Sequence, residues 1–270
     1  MAELDSPVPA TDAAFQQTVP SVPSRETTIP ASLRQGGPVL VIGGEATFEN
    51  FGLFATLRKP GSAITVFTGS TEWPQDQFNR ASTWFQDHGV TRIHHLGAHT
   101  SEADGVDMIL DTGGVFLDGG NQLQGLALLK ERGWLAPLKQ AHEQGIPEGG
   151  SSAGAMILGG PVMAYRRRIV EAGGVLDISL DTHRQRGRDK RQDDLVKVTG
   201  ASSLLLPEGG GVVYSQGEII VFGDNQVRFA FVHEGEVHAV LLQPQQREHI
   251  DELPRNVIFS RFTHQADLAA

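Results

Sequence analysis

Val39-Leu40-Val41-Ile42 runs straight into Gly43-Gly44. Four apolar residues with no polar alternation suit a strand buried on both faces, the environment of a parallel sheet, and the glycine pair marks a tight exit from it. The pattern recurs at Ala63-Ile64-Thr65-Val66-Phe67 before Thr68-Gly69-Ser70, and at Gly114-Val115-Phe116-Leu117 before Asp118-Gly119-Gly120. Between or just after these runs, apolar residues fall at helical spacing: Phe51, Phe54, Ala55 and Leu57; Phe78, Ala81, Trp84 and Phe85; Leu123, Leu126, Ala127 and Leu129. Strand, glycine-rich turn and helix in repetition predict an α/β domain with a mostly parallel sheet flanked by helices. Ligands of such sheets gather at the carboxyl ends of strands, where these turns sit.

Outward from that frame, residues 1–37 are rich in Pro, Thr, Ser and Ala without a sustained period, and are expected to form an extended, partly mobile N-terminal segment. Residues 38–270 are expected to form a single domain. Past residue 200 the apolar runs shorten: Ser203-Leu204-Leu205-Leu206, Gly211–Tyr214, Glu218–Phe222, Val227–Phe231 and Val237–Leu241. Their separations are too short for crossover helices, so antiparallel strands are expected to extend the sheet in the C-terminal third. No internal repeat is present. The tail from Gln243 is polar, with Arg261-Phe262-Thr263-His264 expected to pack back onto the body.

A chain of 270 residues, 39% hydrophobic, can bury a sizeable core without staples. It contains no cysteine, which excludes disulfides, thiolate metal sites, iron–sulfur clusters and a cysteine nucleophile. A covalent catalyst of this composition would use Ser, Thr or Lys. The net charge of −10 argues against general binding of nucleic acid or anionic membranes. No run approaches the length of a membrane span. Met1-Ala2-Glu3-Leu4-Asp5-Ser6-Pro7 has neither the basic nor the apolar region of a secretory signal, so a cytoplasmic location is expected. No phosphate-loop or dinucleotide motif follows the glycine pairs. His94, His95 and His99 lack an acidic partner at ligand spacing. Neither cofactor nor metal is therefore expected.

Gly150-Ser151-Ser152-Ala153-Gly154 fits G-x-S-x-G, a spacing with a mechanical reason. A serine on a sharp strand-to-helix turn needs small residues two before and two after it, and Ser152 is the central serine. The same residues also fit a glycine-rich loop in which Ser151 or Ser152 caps a helix, and the motif alone leaves both readings open. A serine nucleophile needs a base. Of the histidines that follow (His183, His233, His238, His249 and His264), His183 has the densest chemical setting, in Asp181-Thr182-His183-Arg184-Gln185-Arg186-Gly187-Arg188-Asp189-Lys190-Arg191. The base needs a carboxylate to orient it. Glu208 stands at the end of Leu204-Leu205-Leu206-Pro207, where a buried carboxylate would be costly without a partner, and before Gly209-Gly210-Gly211, where it equally fits a turn glutamate in solvent.

These segments together resemble the cyanophycinases and their aspartyl-dipeptidase relatives, serine peptidases on a glutamine-amidotransferase-like α/β fold. Gly149-Gly150-Ser151-Ser152-Ala153-Gly154-Ala155 is similar to their G-G-T-S-A-G-A turn. Asp181-Thr182-His183 with Arg186-Gly187-Arg188 and Arg191 resembles D-Q-H-F-x-x-R-G-R-x-x-R, and Pro207-Glu208-Gly209-Gly210-Gly211-Val212-Val213 resembles D-E-D-T-A-L-V-V. Val41-Ile42-Gly43-Gly44-Glu45 and Phe116-Leu117-Asp118-Gly119-Gly120-Asn121-Gln122 are weaker matches, the latter to F-x-G-G-D-Q. The likeness spans roughly residues 38–242.

The resemblance implies Ser152 as nucleophile, His183 as general base then acid, and Glu208 as orienting carboxylate. It implies an oxyanion hole from the Gly119-Gly120 turn, with Gly120 donating, and the Ala153 amide. Gln122, Asp181, Thr182, Arg186, Arg188 and Arg191 stand at substrate-contacting positions, implying a β-aspartyl-arginine product unit from cyanophycin or related aspartyl peptides, and a homodimer. Departures lie around the triad: Asn121 replaces an acid, Thr182 replaces Gln, Arg184 replaces an aromatic, the His-to-Arg spacing is one residue shorter, and the Glu208 element lacks its Asp-Thr pair. Two other readings carry distinct expectations. An α/β-hydrolase esterase would pair Ser152 with Asp224 and His249 or His264. A non-catalytic module would use the glycine loops to hold a small acidic ligand.

Overall fold

The computed structural model describes residues 36–163, 168–185, 187–215 and 218–244. The expected N-terminal segment up to residue 35, Arg186, His249 and the Arg261–His264 tail lie outside the described residues.

The first apolar run forms β1 (Val39–Ile42), followed by α1 (Phe48–Leu57), β2 (Ile64–Phe67), α2 (Pro74–Asp87), β3 (Ile93–Leu96), α3 (Glu102–Leu110), β4 (Val115–Leu117), α4 (Gln122–Glu131), α5 (Leu135–Glu143), β5 (Glu148–Ser151) and α6 (Ala153–Leu158). After a hairpin, β6 (Pro161–Met163) and β7 (Ile169–Glu171), come β8 (Ser179–Asp181), α7 (Arg188–Thr199), β9 (Ser203–Leu205), β10 (Gly210–Ser215), β11 (Glu218–Gly223), β12 (Val227–His233) and β13 (Glu236–Leu242).

The central sheet has 7 strands in the order β11-β10-β1-β5-β4-β2-β3. Strands β1 to β5 run parallel, while β10 and β11 are added antiparallel at one edge. Side-chain alternation sends Val39 and Val41 of β1, and Val115 and Leu117 of β4, into one core with Leu126, Leu129, Trp134 and Leu138 of the helical layer. Leu40 and Ile42 of β1, and Phe116 of β4, enter the core on the other face with Phe51, Phe54, Ala81 and Phe85. Burial on both faces explains why these strands read as unbroken apolar runs.

The expectation for the C-terminal third holds in class and differs in detail. Strands β10 and β11 extend the central sheet as antiparallel neighbours. Strands β12 and β13 do not: they join β9 and β8 in a second, 4-stranded sheet, in which β8 and β9 pair in parallel. Helix α7 supplies the crossover that a parallel β8–β9 pair needs. Strand β3 carries His94 and His95 where an apolar pair would have announced it. Strand β5 reads Glu-Gly-Gly-Ser and is also hidden from a hydropathy scan. Its glycines answer to packing: a Cβ on Gly149 would stand 2.8 Å from the rings of Phe116 and Phe54, which themselves pack at 5.3 Å.

Among the described residues no helix is long and apolar enough to cross a membrane.

Candidate active site

The parallel register brings three glycine-rich turns to one edge. Ile42 of β1 lies opposite Ser151 of β5, and Leu117 of β4 lies opposite Gly150, so Gly43-Gly44, Gly119-Gly120 and Ser152 leave the sheet side by side. Ser152 links β5 to α6 with φ 48 and ψ −114, a conformation that L-residues adopt only under local constraint. The constraint is visible in the flanking glycines. A Cβ on Gly150 would fall 2.6 Å from the Ala155 nitrogen, and one on Gly154 would fall 1.9 Å from the Leu117 carbonyl oxygen. The small residues two before and two after Ser152 are thus required by helix-on-strand contact.

Neither serine serves as the helix cap that the sequence left open. Ser151 Oγ donates to Asp118 Oδ1 at 3.0 Å. Ser152 makes no side-chain cap; its Oγ lies 2.7 Å from His183 Nε2. The other ring nitrogen, Nδ1, contacts Glu208 Oε1. With a carboxylate at Nδ1, the proton resides there and Nε2 is left to accept from the hydroxyl.

His183 and Glu208 arrive from the second sheet. The β8–β9 register places Asp181 opposite Leu205, so Thr182-His183 and Leu206-Pro207-Glu208 exit together. The Leu206 amide donates to Asp181 O and the Arg184 amide to Leu206 O. His183, itself at φ 57, donates its amide to Gly43 O at 2.8 Å, which moors the second sheet to the turn after β1. Gly44 makes room for the acid: a Cβ there would lie 1.7 Å from Glu208 Oε2. Of the two settings open to Glu208, a partnered carboxylate or a turn glutamate in solvent, the structure combines both: its side chain is 57% exposed and still contacts His183, itself 34% exposed.

The Gly119 side of the turn faces Ser152, with a Cβ position 3.3 Å from the serine Cβ. Gly119 spends its own amide on Asp118 Oδ1 at 2.8 Å. Among the described residues, the Gly120 and Ala153 amides donate no such bond to a loop or side-chain acceptor. Gly120 has φ 133 and a Cβ there would meet Ser70 O at 2.1 Å, so the turn excludes a side chain.

Of the remaining predicted residues, Asp181, Thr182 and Arg188 form one network. Asp181 Oδ1 accepts from the Thr182 amide at 2.9 Å and from Arg188 Nη1 at 3.1 Å, with Asp181 and Thr182 both buried and Arg188 30% exposed. Arg191 is half-buried one turn along α7. Gln122 opens α4 half-buried and enters neither network among the described hydrogen bonds. Asn121, the substitute for an acid, caps α4 by accepting from the Leu123 and Gln124 amides. Arg184, the substitute for an aromatic, binds Asp189 through Nε and Nη2 at 3.2 and 3.1 Å. A groove of about 760 Å³ opens beside this pair, lined also by Gln185, Pro207, Asp224 and Gln226. Ser152 is not in its wall.

Two residues near the turn escaped the sequence reading. Asp118, 1% exposed, holds the Gly119 amide and Ser151, and Arg80 on α2 reaches it from Nη2 at 3.4 Å. Burial pushes the Asp118 carboxyl up, against the opposing pull of the Gly119 amide, Arg80 and Ser151. Its sequence signal is its place as an acid directly ending the buried apolar strand β4. His95 is a packed residue of the sheet edge. Its Nε2 is 2.7 Å from Thr68 Oγ1, its ring stacks on Phe78, and burial first, then His99, lowers it to about 4.

The model of peptidase family S51 matches residues 68–221. No curated protein sequence matches the chain. Among solved structures, a peptidase from an acI-B1 Actinobacterium is 14% identical with a TM-score of 0.56, over 77% of this chain and 96% of that one. A putative peptidase E from Listeria monocytogenes EGD-e is 16% identical with a TM-score of 0.54, over 70% of this chain and 98% of that one. At such identities the likeness is one of fold. The family match is different in kind: it runs through more than half of the chain and takes in the Ser152 turn, His183 and Glu208, and the chain belongs to peptidase family S51.

Proposed function

We propose that the chain is a serine peptidase of aspartyl peptides, with the β-aspartyl-arginine linkage of cyanophycin among its substrates, and that Ser152, His183 and Glu208 are its catalytic triad. The observation that carries the proposal is the hydrogen-bonded chain from Ser152 Oγ through both nitrogens of His183 to Glu208. In this reading His183 Nε2 takes the hydroxyl proton as Oγ attacks the scissile carbonyl carbon. Glu208 steadies the imidazolium, which then passes the proton to the departing amine as the C–N bond breaks and leaves an acyl-enzyme on Ser152 Oγ. Water, giving its proton to His183, then hydrolyses that ester, and His183 returns the proton to Oγ. The Gly120 and Ala153 amides receive the carbonyl oxygen as it gains charge. Donors fixed in advance cost no reorganisation in the transition state, and one such donor is worth about 10²–10³ in rate. Arg188 and Arg191, with Asp181 holding the first of them, supply the cationic side for a substrate carboxylate.

The test is hydrolysis of cyanophycin, β-Asp-Arg and α-Asp-X peptides, run in parallel with wild type, Ser152→Ala and His183→Ala. Release of product by wild type alone supports the triad and identifies the linkage. Activity that survives His183→Ala returns the reading to an esterase with another base. Absence of fluorophosphonate labelling at Ser152, together with measurable affinity for acidic dipeptides, favours the binding module.

A further inference from the structure

Arg80 and Asp118 take no part in the mechanism above, yet they stand directly behind it. Asp118 Oδ1 receives the Gly119 amide and the Ser151 hydroxyl, so one buried oxygen holds both the turn that faces Ser152 and the residue that precedes Ser152. Two such donors orient best toward a carboxylate rather than a neutral acid, since bonds to an ionised acceptor are shorter and stronger. A carboxylate this deeply buried persists only with a partner. Arg80 supplies it through Nη2 to Asp118 Oδ2 at 3.4 Å, while Nη1 contacts Glu45 and the guanidinium lies 5.5 Å from the Trp84 ring centroid. Glu45 directly follows Gly44, whose backbone abuts Glu208. A single guanidinium on α2 therefore spans the turn after β1, which supports Glu208, and the turn after β4, which presents Gly120.

We propose that Arg80 is a positioning residue that acts through Asp118 to hold the Gly119-Gly120 turn in register with Ser152. Its catalytic consequence rests on the assignment of Ser152 as nucleophile, and its effect on the order of the turn does not.

The experiment uses the full chain as wild type, Arg80→Met, Arg80→Lys, Asp118→Asn and the double variant Arg80→Met/Asp118→Asn. Each is measured for the rate of Ser152 labelling by a fluorophosphonate, whose phosphoryl oxygen enters the oxyanion site, for thermal midpoint, and for hydrogen exchange in a peptide covering residues 117–123. Arg80→Met should slow labelling about ten- to a hundredfold, part of the value of one lost oxyanion donor, and should speed exchange in the 117–123 peptide. Arg80→Lys should recover part of both. The double variant should be no slower than the slower single variant, because the two residues act in series. Multiplicative losses in the double variant, or wild-type exchange in Arg80→Met, would overturn the proposal. Unchanged labelling in Arg80→Met would do the same. If wild type itself resists the label, the nucleophile assignment fails, and the exchange of the turn still decides the role of Arg80.

Discussion

Glu148, the first residue of β5, is enclosed completely, between Val39 of β1 and Val115 of β4 in the sheet register. Its titratable neighbour is His142, with Nδ1 3.5 Å from Oε2, at the outer limit of a hydrogen bond. Burial dominates this setting and carries the carboxyl from 4.5 to about 7, with His142 pulling the other way. A carboxyl so raised penalises the ionised folded state by about 3 kcal/mol. The sign follows from proton counting. Below 4.5 both folded and unfolded chains hold the proton and there is no penalty. Between 4.5 and about 7 the unfolded chain releases it while the folded chain keeps it, so stability falls as pH rises, and above 7 the full penalty stands. Glu148→Gln keeps the shape and removes the titration. Urea unfolding of wild type and Glu148→Gln at pH 5 and pH 8 isolates the Glu148–His142 pair, because titrations uncoupled from that pair cancel in the difference. The variant should gain about 2–3 kcal/mol relative to wild type on going from pH 5 to pH 8. Parallel pH dependences would refute the reasoning and mean that Glu148 folds already ionised, with His142 as a true counter-ion.

Two further substitutions test the site. Gly154→Ala sets a methyl 1.9 Å from the Leu117 carbonyl oxygen, which is backbone and cannot step aside. It should cost about 3 kcal/mol or more and abolish labelling of Ser152; a wild-type melting curve with normal labelling would refute the packing argument for the G-x-S-x-G spacing. Glu208→Gln touches a side chain that is more than half exposed, so its thermal midpoint should stay within about 2 °C of wild type. Its turnover should fall about 10²–10⁴-fold, because an amide cannot stabilise the imidazolium. Retention of turnover within about twofold would remove Glu208 from the triad.

Legibility varied with the kind of constraint. The strands that bury both faces, β1, β2 and β4, were readable because burial on two sides favours apolar residues throughout, Thr65 of β2 being the one polar residue among them, with its hydroxyl bonded to Met108 O. Helices α1, α2 and α4 were readable from the spacing of Phe51 and Phe54, Ala81 and Phe85, Leu126 and Leu129. Strand β5 was hidden because its identity comes from neighbours: Phe54 and Phe116 occupy the volume that its own side chains would have filled. The separate second sheet was hidden because hydropathy does not reveal the strand to which an apolar run pairs. The exposure of Glu208 was left open for a related reason, since residue type after the strand does not say whether a turn carboxylate faces solvent, a partner or both. Asp118 was read as part of a glycine turn, and its depth in the fold became apparent from the contacts it makes with Ser151 and Arg80.

By itself, the sequence determined the α/β class, the serine at the centre of G-x-S-x-G, and the histidine and carboxylate that resemble its partners, because each of these depends on residue type at short range. The tertiary structure alone decided that they meet. Ser152 and His183 are 31 residues apart and Glu208 lies 25 residues further on. What brings them within hydrogen-bond reach is the parallel register of β1, β4 and β5, the parallel pairing of β8 with β9, and the bond from the His183 amide to Gly43 O that moors one sheet to the other. Register is a property of strand pairs, set by how the buried faces and connections of two segments match, and so no single segment of the chain records it.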